Sequence, residues 1–402
     1  MRRGVSLVHV LVAPDKFKGS LTAAEAARHL AAGLRAAAGP ALTITCLPVA
    51  DGGDGTLDAA LAAGFDAVPV RASGPTGEPV DTGYARRGEL ALLELAAVCG
   101  LARLPGGRLR PLRATSFGLG EVMRAALAAG AGRLVLGLGG SASTDGGAGL
   151  LQALGARVLD RAGAALAPGG GALGGADVLD LSGLDPAIRR AELIVASDVD
   201  NPLYGPDGAA AVYAPQKGAD RADVAVLEAG LRRWADVVAA ATGTDLRNEP
   251  GAGAAGGVGF AAMAVLGATP RPGIEVMLDL LGFRDRLAAA DLVVIGEGSL
   301  DEQTLRGKAP AGVAAAARRA GVPVVAVAGR VGVDAGRLAA AGISRAYALS
   351  DLEPDPARSM AGAGRLVELL AGRLARDWLT RPPGPIRPEG KLADRSGEEP
   401  RS

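Results

Sequence analysis

Short, continuously apolar runs alternate with alanine-rich helical stretches along almost the whole chain, and this alternation restricts the fold more than any other feature. The runs fall at 5–12, 42–49, 90–95, 133–138, 192–197, 291–295, 322–328 and 345–349, and most lack the every-second-residue polarity of a half-exposed strand. Strands covered on both faces read this way, so the chain is expected to be α/β with largely parallel sheets. Helices are predicted between them at 22–38, 56–63, 117–129, 145–155, 222–241, 257–266, 309–320, 334–341 and 358–376. The first opens on Thr22-Ala23-Ala24-Glu25, a capping box in which both side chains satisfy orphan N–H groups. The Gly/Ala/Pro-rich segment 161–176 reads as a loop or hairpin.

At 402 residues the chain is long enough for two domains, each with a real core. Its 43 basic and 43 acidic residues cancel and aromatics are 3%, so neither the field nor the stacking platforms of a nucleic-acid binder are present. The only histidines are His9 and His29, too few for a multi-His metal site. His9, in a predicted buried strand, reads as a satisfied core residue. The only cysteines, Cys46 and Cys99, form no C-x-x-C and read as small core residues. The N-terminal apolar run is too short for a membrane span and has no signal-peptide pattern, so the expected location is cytoplasmic. From 381 to 402 the chain is Pro-rich, charged and without apolar periodicity, which reads as a disordered tail.

Chemistry gathers where the predicted strands end, the place where open parallel sheets bind ligands. The first run is followed by Asp15-Lys16-Phe17-Lys18-Gly19-Ser20, two of the chain's five lysines entering a capped helix, which suits an anion. After the second run, Asp51-Gly52-Gly53-Asp54-Gly55 places two carboxylates around glycines. Asp54 can be a plain N-cap, and Asp51 can accept from a substrate hydroxyl or lie outside a Mg²⁺ ion. Asp198 and Asp200 alternate after the run 192–197, where a carboxylate can take a hydroxyl proton or hold Mg²⁺. Lys217 follows in Ala214-Pro215-Gln216-Lys217-Gly218, and Glu297, Asp301 and Lys308 follow the run 291–295.

Gly137-Leu138-Gly139-Gly140-Ser141-Ala142 supports two readings. It fits G-x-G-x-x-A after a strand, with Asp160 ending a second strand about 20 residues on, the pattern of a dinucleotide site. An NAD(P)-dependent dehydrogenase of a small hydroxy acid is therefore a rival. Against it, Asp145 follows so closely that it would face a pyrophosphate. A second match at Gly251–Gly256 has no strand before it, so such patterns arise easily in this composition. The other reading is a Gly/Ser loop whose N–H and hydroxyl groups hold phosphate. No G-x-x-x-x-G-K-[ST] occurs, which excludes a P-loop NTPase.

Taken together and in order, the segments 13–21, 48–56, 139–147, 197–203, 214–219, 251–259 and 296–308 resemble those of bacterial glycerate kinases of the family that lacks a P-loop. The resemblance spans roughly 5–375. Lys16 stands where the family commonly has Ser, and Ser299-Leu300-Asp301 keeps the Asp of that loop but lacks its usual Arg. The resemblance implies two α/β domains with a cleft between them, one discontinuous: 1–75 with 285–380, and 76–284. It implies ATP and Mg²⁺ as cofactors and D-glycerate as substrate, with 2-phosphoglycerate as product and 3-phosphoglycerate as the alternative.

On that footing Asp198 is expected to accept the glycerate hydroxyl proton, and Lys18, with Lys16, to hold the substrate carboxylate or the transferring phosphoryl group. Lys16, Gly139, Gly140, Ser141 and Lys217 are expected at the nucleotide phosphates. Asp51, Asp54 and Asp145 are assigned to substrate, and Glu297 and Asp301 to Mg²⁺. No nucleic acid or membrane partner is expected, and the chain should be a monomer or homodimer. A hydroxy-acid sensor would bind glycerate without turnover.

Overall fold

The computed structural model describes residues 8–379 apart from Arg306. Its strands, in chain order, are β1 (Val8–Val12), β2 (Leu42–Cys46), β3 (Asp66–Ser73), β4 (Pro79–Arg87), β5 (Leu90–Glu94), β6 (Arg133–Gly137) and β7 (Arg157–Leu159). There follow β8 (Val178–Asp180), β9 (Glu192–Ala196), β10 (Thr269–Arg271), β11 (Leu292–Leu300), β12 (Val324–Val331) and β13 (Arg345–Ala348). The first sheet has the order β13-β12-β11-β1-β2, with every pairing parallel. The second has the order β10-β9-β6-β5-β4-β3 and is parallel except at the β3-β4-β5 meander. β7 and β8 form a separate hairpin around the segment 161–176.

The apolar runs owe their continuity to burial on both faces. In β1, Val10 and Val12 face the helices Ala23–Ala38 and Ala363–Trp378, while Leu11 faces the opposite core. In the second sheet Leu92, Val135 and Ile194 join that same opposite core, whereas Leu93, Leu134 and Leu136 pack with Trp234 and Phe260 on the outer face. Met277 and Phe283 belong to the shared core, so the two sheets are joined beneath the cleft by common apolar contacts. At about 1.5–3 kcal/mol per fully buried large side chain, such a junction holds the cleft walls in register.

The capping box is present: Glu25 N–H donates to Thr22 Oγ1 at 3.2 Å and Thr22 N–H to Glu25 Oε2 at 2.9 Å. His9 is satisfied as expected, through Ala289 O and Thr45 Oγ1, each at 2.8 Å. Three expectations need correction. β3, placed before the boundary at 75, pairs with β4 in the second sheet. Cys46 is exposed on edge strand β2 rather than in the core, while Cys99 is buried. The helix expected over 358–376 is two, Pro356–Ala361 and Ala363–Trp378, broken at Gly362. The tail at 381–402 lies outside the described residues, among which no helix is long and apolar enough to cross a membrane.

Candidate active site

The carboxyl ends of β1, β2, β6, β9, β11 and β12 converge on one cleft of about 1460 Å³. It takes in Lys16, Lys18, Asp51, Asp54, Gly139, Gly140, Ser141, Asp198, Lys217, Glu297 and Asp301. Of the residues singled out from sequence, Asp145 is not part of the lining.

On the first-sheet side, Lys16 Nζ donates to Asp54 Oδ2 at 2.7 Å and to the Asp54 carbonyl, so its charge is committed to the neighbouring loop. Lys18 is exposed and has no hydrogen bond or ion pair among the described residues. Asp51 Oδ1 accepts from Gly53 N–H at 3.1 Å, an Asx turn that fixes the loop. Asp15, which lines the cleft and was not assigned a role from sequence, is raised to about 7 by burial, with the Asp51 charge adding.

Glu297 was expected in a loop but lies on β11, which runs on to Leu300. It is 7% exposed, and its Oε1 has no hydrogen-bond partner among the described residues. Burial raises its carboxyl to about 8, and the charges of Asp15 and Asp301 act in the same direction. Asp301 Oδ1 accepts from Thr304 N–H at 3.2 Å at the start of the short helix Glu302–Leu305.

The second-sheet side is ordered differently. Gly139 lies so close to the Asp51–Asp54 loop that a Cβ there would be 2.4 Å from Gly53 Cα, so this glycine serves loop-on-loop contact. Lys217 is buried; its Nζ donates to Ser141 Oγ at 2.8 Å and to Ser143 O. Burial lowers its pKa to about 7, against the pull of Asp145. Its ammonium thus braces the serine loop, where a direct phosphate contact had been expected. Asp145 is 1% exposed and accepts from Thr115 Oγ1, Ser116 N–H, Ser116 Oγ, Gly147 N–H and Gly149 N–H. This corrects its assignment to substrate: its oxygens are spent holding the start of the helix Ala148–Ala153.

The same geometry disposes of the dinucleotide fingerprint. The helix N-terminus that would receive a pyrophosphate begins at Ala148 and is occupied by Asp145. Asp160 follows β7, which belongs to the separate hairpin and not to the sheet. Near Gly251–Gly256 the backbone turns left-handed at Ala255, Gly256 and Gly257 (φ 53, 70 and 94°), where Ala255 and Gly256 line the cleft.

Asp198 follows β9 where the two walls meet. Its Oδ1 accepts from Gly273 N–H at 2.8 Å, at the start of the helix Gly273–Leu280. Partial burial between the walls raises its pKa to about 6; the Gly273 hydrogen bond opposes this, and the charges of Asp51 and Asp200 add to it. Sequence reading missed Glu94, at the end of β5, which accepts from Gly55 N–H at 3.2 Å and Leu57 N–H at 2.9 Å. Burial raises it to about 7, and it anchors the Asp51–Asp54 loop from below.

The model of the Glycerate kinase family matches residues 10–379, which contain both walls of this cleft. The chain belongs to the glycerate kinase family. It is 43% identical over 343 residues to the glycerate kinase of Bacillus subtilis, covering 85% of this chain and 90% of that one. To the glycerate 2-kinase of Escherichia coli it is 40% identical over 343 residues, with the same coverage. A crystal structure named for a glycerate kinase 2 from Salmonella typhimurium LT2 superposes with a TM-score of 0.80 at 39% identity, covering 92% of this chain and 98% of that chain. Proteins of this family are phosphotransferases, so the chain is an enzyme.

Proposed function

We propose that this chain transfers the γ-phosphoryl group of ATP to the 2-hydroxyl of D-glycerate, giving 2-phosphoglycerate and ADP. The observation that carries the reading is Asp198: a carboxylate open to the cleft, held by Gly273 N–H where the walls meet, with a pKa pushed up to about 6. A base with such a pKa is largely ionised near neutral pH yet still basic enough to take a proton. The hydroxyl oxygen attacks the γ-phosphorus as its bond to the β–γ bridging oxygen breaks. The hydroxyl proton passes to Asp198, and ADP leaves.

Phosphoryl transfer asks the protein mainly for position and charge. Asp51 and Asp54 accept from glycerate hydroxyls on one side of the attacking oxygen. Lys18, exposed and uncommitted, supplies the cation for the transferring group, while Lys16 holds Asp54 in place. Ser141 offers its hydroxyl from the opposite wall: because Lys217 donates to its oxygen, its own proton is left to donate into the cleft.

Among the described residues no three His, Cys, Asp or Glu side chains are close enough to enclose a metal ion. Mg²⁺ does not need such a cage, since it is usually bound by one or two carboxylates together with substrate phosphates and water. The orphan buried Oε1 of Glu297 fits that demand, in the field of the Asp15 and Asp301 charges. When bound there, Mg²⁺ would offset charge on the phosphate oxygens.

The test is a coupled assay of ADP release with D-glycerate and Mg-ATP, followed by ³¹P NMR of the product. Phosphorus on the 2-position supports the reading; phosphorus on the 3-position replaces it with the other regiochemistry. No ADP release in the presence of glycerate would overturn it.

A further inference from the structure

The cleft is much longer than glycerate needs, and its lining changes character along its length. Because the first sheet has the order β13-β12-β11-β1-β2, the loops at its carboxyl edge are laid out in that order too. With strands about 4.8 Å apart, four steps separate the β13 end from the β2 end by roughly 19 Å. At the β2 end stand Asp51 and Asp54, facing Asp198 of the second sheet. In the middle come Asp15, Lys18 and Glu297. Next, near the end of β12, Arg330 is exposed and fixed by its Nε donating to Ser299 Oγ at 2.9 Å; among the described residues its other nitrogens have no partner.

After β13 the lining adds Leu349, Ser350, Glu353 and Pro354, and beside them Met360 and Ala363; Leu349 and Ala363 are almost fully buried, so the apolar surface on offer is that of Pro354 and Met360. Met360 is 48% exposed where it lines the cleft. It is tied to the cationic loop, since a Cβ at Gly19 would lie 2.8 Å from Met360 Cε.

We propose that this β13 end seats the nucleoside of the phosphoryl donor, with the polyphosphate running past Arg330 and Lys18 toward Asp198. The inference rests on the kinase reading and adds a direction to it. A nucleoside polyphosphate has an apolar, stackable base at one end and several anionic oxygens along the rest. The cleft presents apolar surface at Pro354 and Met360, the cations Arg330 and Lys18 next along, and Asp51, Asp54 and Asp198 at the β2 end, with Glu353, Asp15 and Glu297 interspersed. Glycerate, with three carbons all bearing oxygen, has nothing to place against Met360 and Pro354.

The test compares binding of a fluorescent ADP analogue with binding of inorganic tripolyphosphate, which has the anions but no nucleoside. Two variants are used: Met360→Asn, which removes apolar surface, and Ser359→Trp, which fills the space beside it. Both sites are at the surface of a short helix, so the fold should persist. Expected are a 5-fold or greater weakening of the ADP analogue and a matching rise in the KM for ATP. Tripolyphosphate affinity and the KM for glycerate should stay within twofold. If ADP and tripolyphosphate weaken alike, if only the glycerate KM moves, or if nothing moves, the seat is wrong. A wild-type chain that releases no ADP from ATP and glycerate would instead overturn the kinase reading itself.

Discussion

The two walls of the cleft spend their buried charges differently. On the second-sheet side, Asp145 takes five donors and Lys217 is bound to Ser141 and Ser143, so the buried charges are consumed in holding the serine loop, while Ser143 Oγ and Thr144 Oγ1 are buried there with no partner among the described residues. On the first-sheet side, Lys18 has no partner among the described residues and Glu297 Oε1 is buried with none. A buried polar atom left unpaired costs about 1–3 kcal/mol, so a fold keeps one mainly where a ligand will satisfy it. Similar-looking Asp- and Lys-bearing loops thus divide into a brace and a receiver. Asp198 stands between the walls and does some of both, capping a neighbouring helix with one oxygen and facing the cleft.

Substitution at the junction should have the largest effect. Asp198→Asn keeps the acceptor for Gly273 N–H but loses basicity, so kcat should fall by about 10²–10⁴ with the KM for ATP little changed. Steady-state kinetics check this, and near wild-type kcat would leave Asp198 as a helix cap alone. Next comes the brace. Asp145→Ala strands five donors and should cost about 3–5 kcal/mol of stability, seen as a lower thermal midpoint, with turnover per folded molecule largely kept. A stable variant with lost activity would reverse the contrast between the walls.

Lys18→Ala should show the opposite pattern. kcat/KM should drop by about 10² while stability stays within about 0.5 kcal/mol, because the side chain is exposed. Added Mg²⁺ should not restore the rate. Loss of stability in place of activity would make Lys18 part of a brace as well.

The smallest expected effect is at Glu94, whose folded pKa of about 7 lies above its ordinary value of 4.5. Between those values the folded state holds a proton that the unfolded chain has released. This group therefore contributes most below about pH 4.5, and its contribution is lost as pH rises to about 7. Thermal midpoints measured from pH 5 to 7.5 should show that downward contribution, and Glu94→Gln should flatten it. An unchanged slope would mean that Glu94 is already ionised beneath the loop.

What could be read from the sequence follows the same physics. Strands buried on both faces are continuous in hydropathy and were all visible, as was the first helix with its capping box. β3 and β4 were not: they form the antiparallel rim of the second sheet, carry mixed polarity, and include Pro69 and Pro79, which disfavour an interior-strand reading. At the site, strand-end carboxylates stood out because of where they sit in the chain. Their partners did not, since Asp145 meets Ser116 across 29 residues and Lys217 meets Ser141 across 76. Residue type and spacing show that a lysine is present, but not whether its ammonium faces a ligand or a carbonyl.

The placement of β1 also bears on how the protein is made. Val10 pairs with Ile44 on one side and with Leu292 on the other. At a ribosomal rate of roughly 5–20 residues per second, on the order of 12–50 s separate the synthesis of those two neighbours. Through that interval the strand Val8-His9-Val10-Leu11-Val12 has an open edge of hydrogen-bonding groups and a strongly apolar face, a template for strands of other nascent chains. Slower initiation, lower growth temperature or chaperone capture during elongation should therefore raise the yield of active protein more than any change made after release.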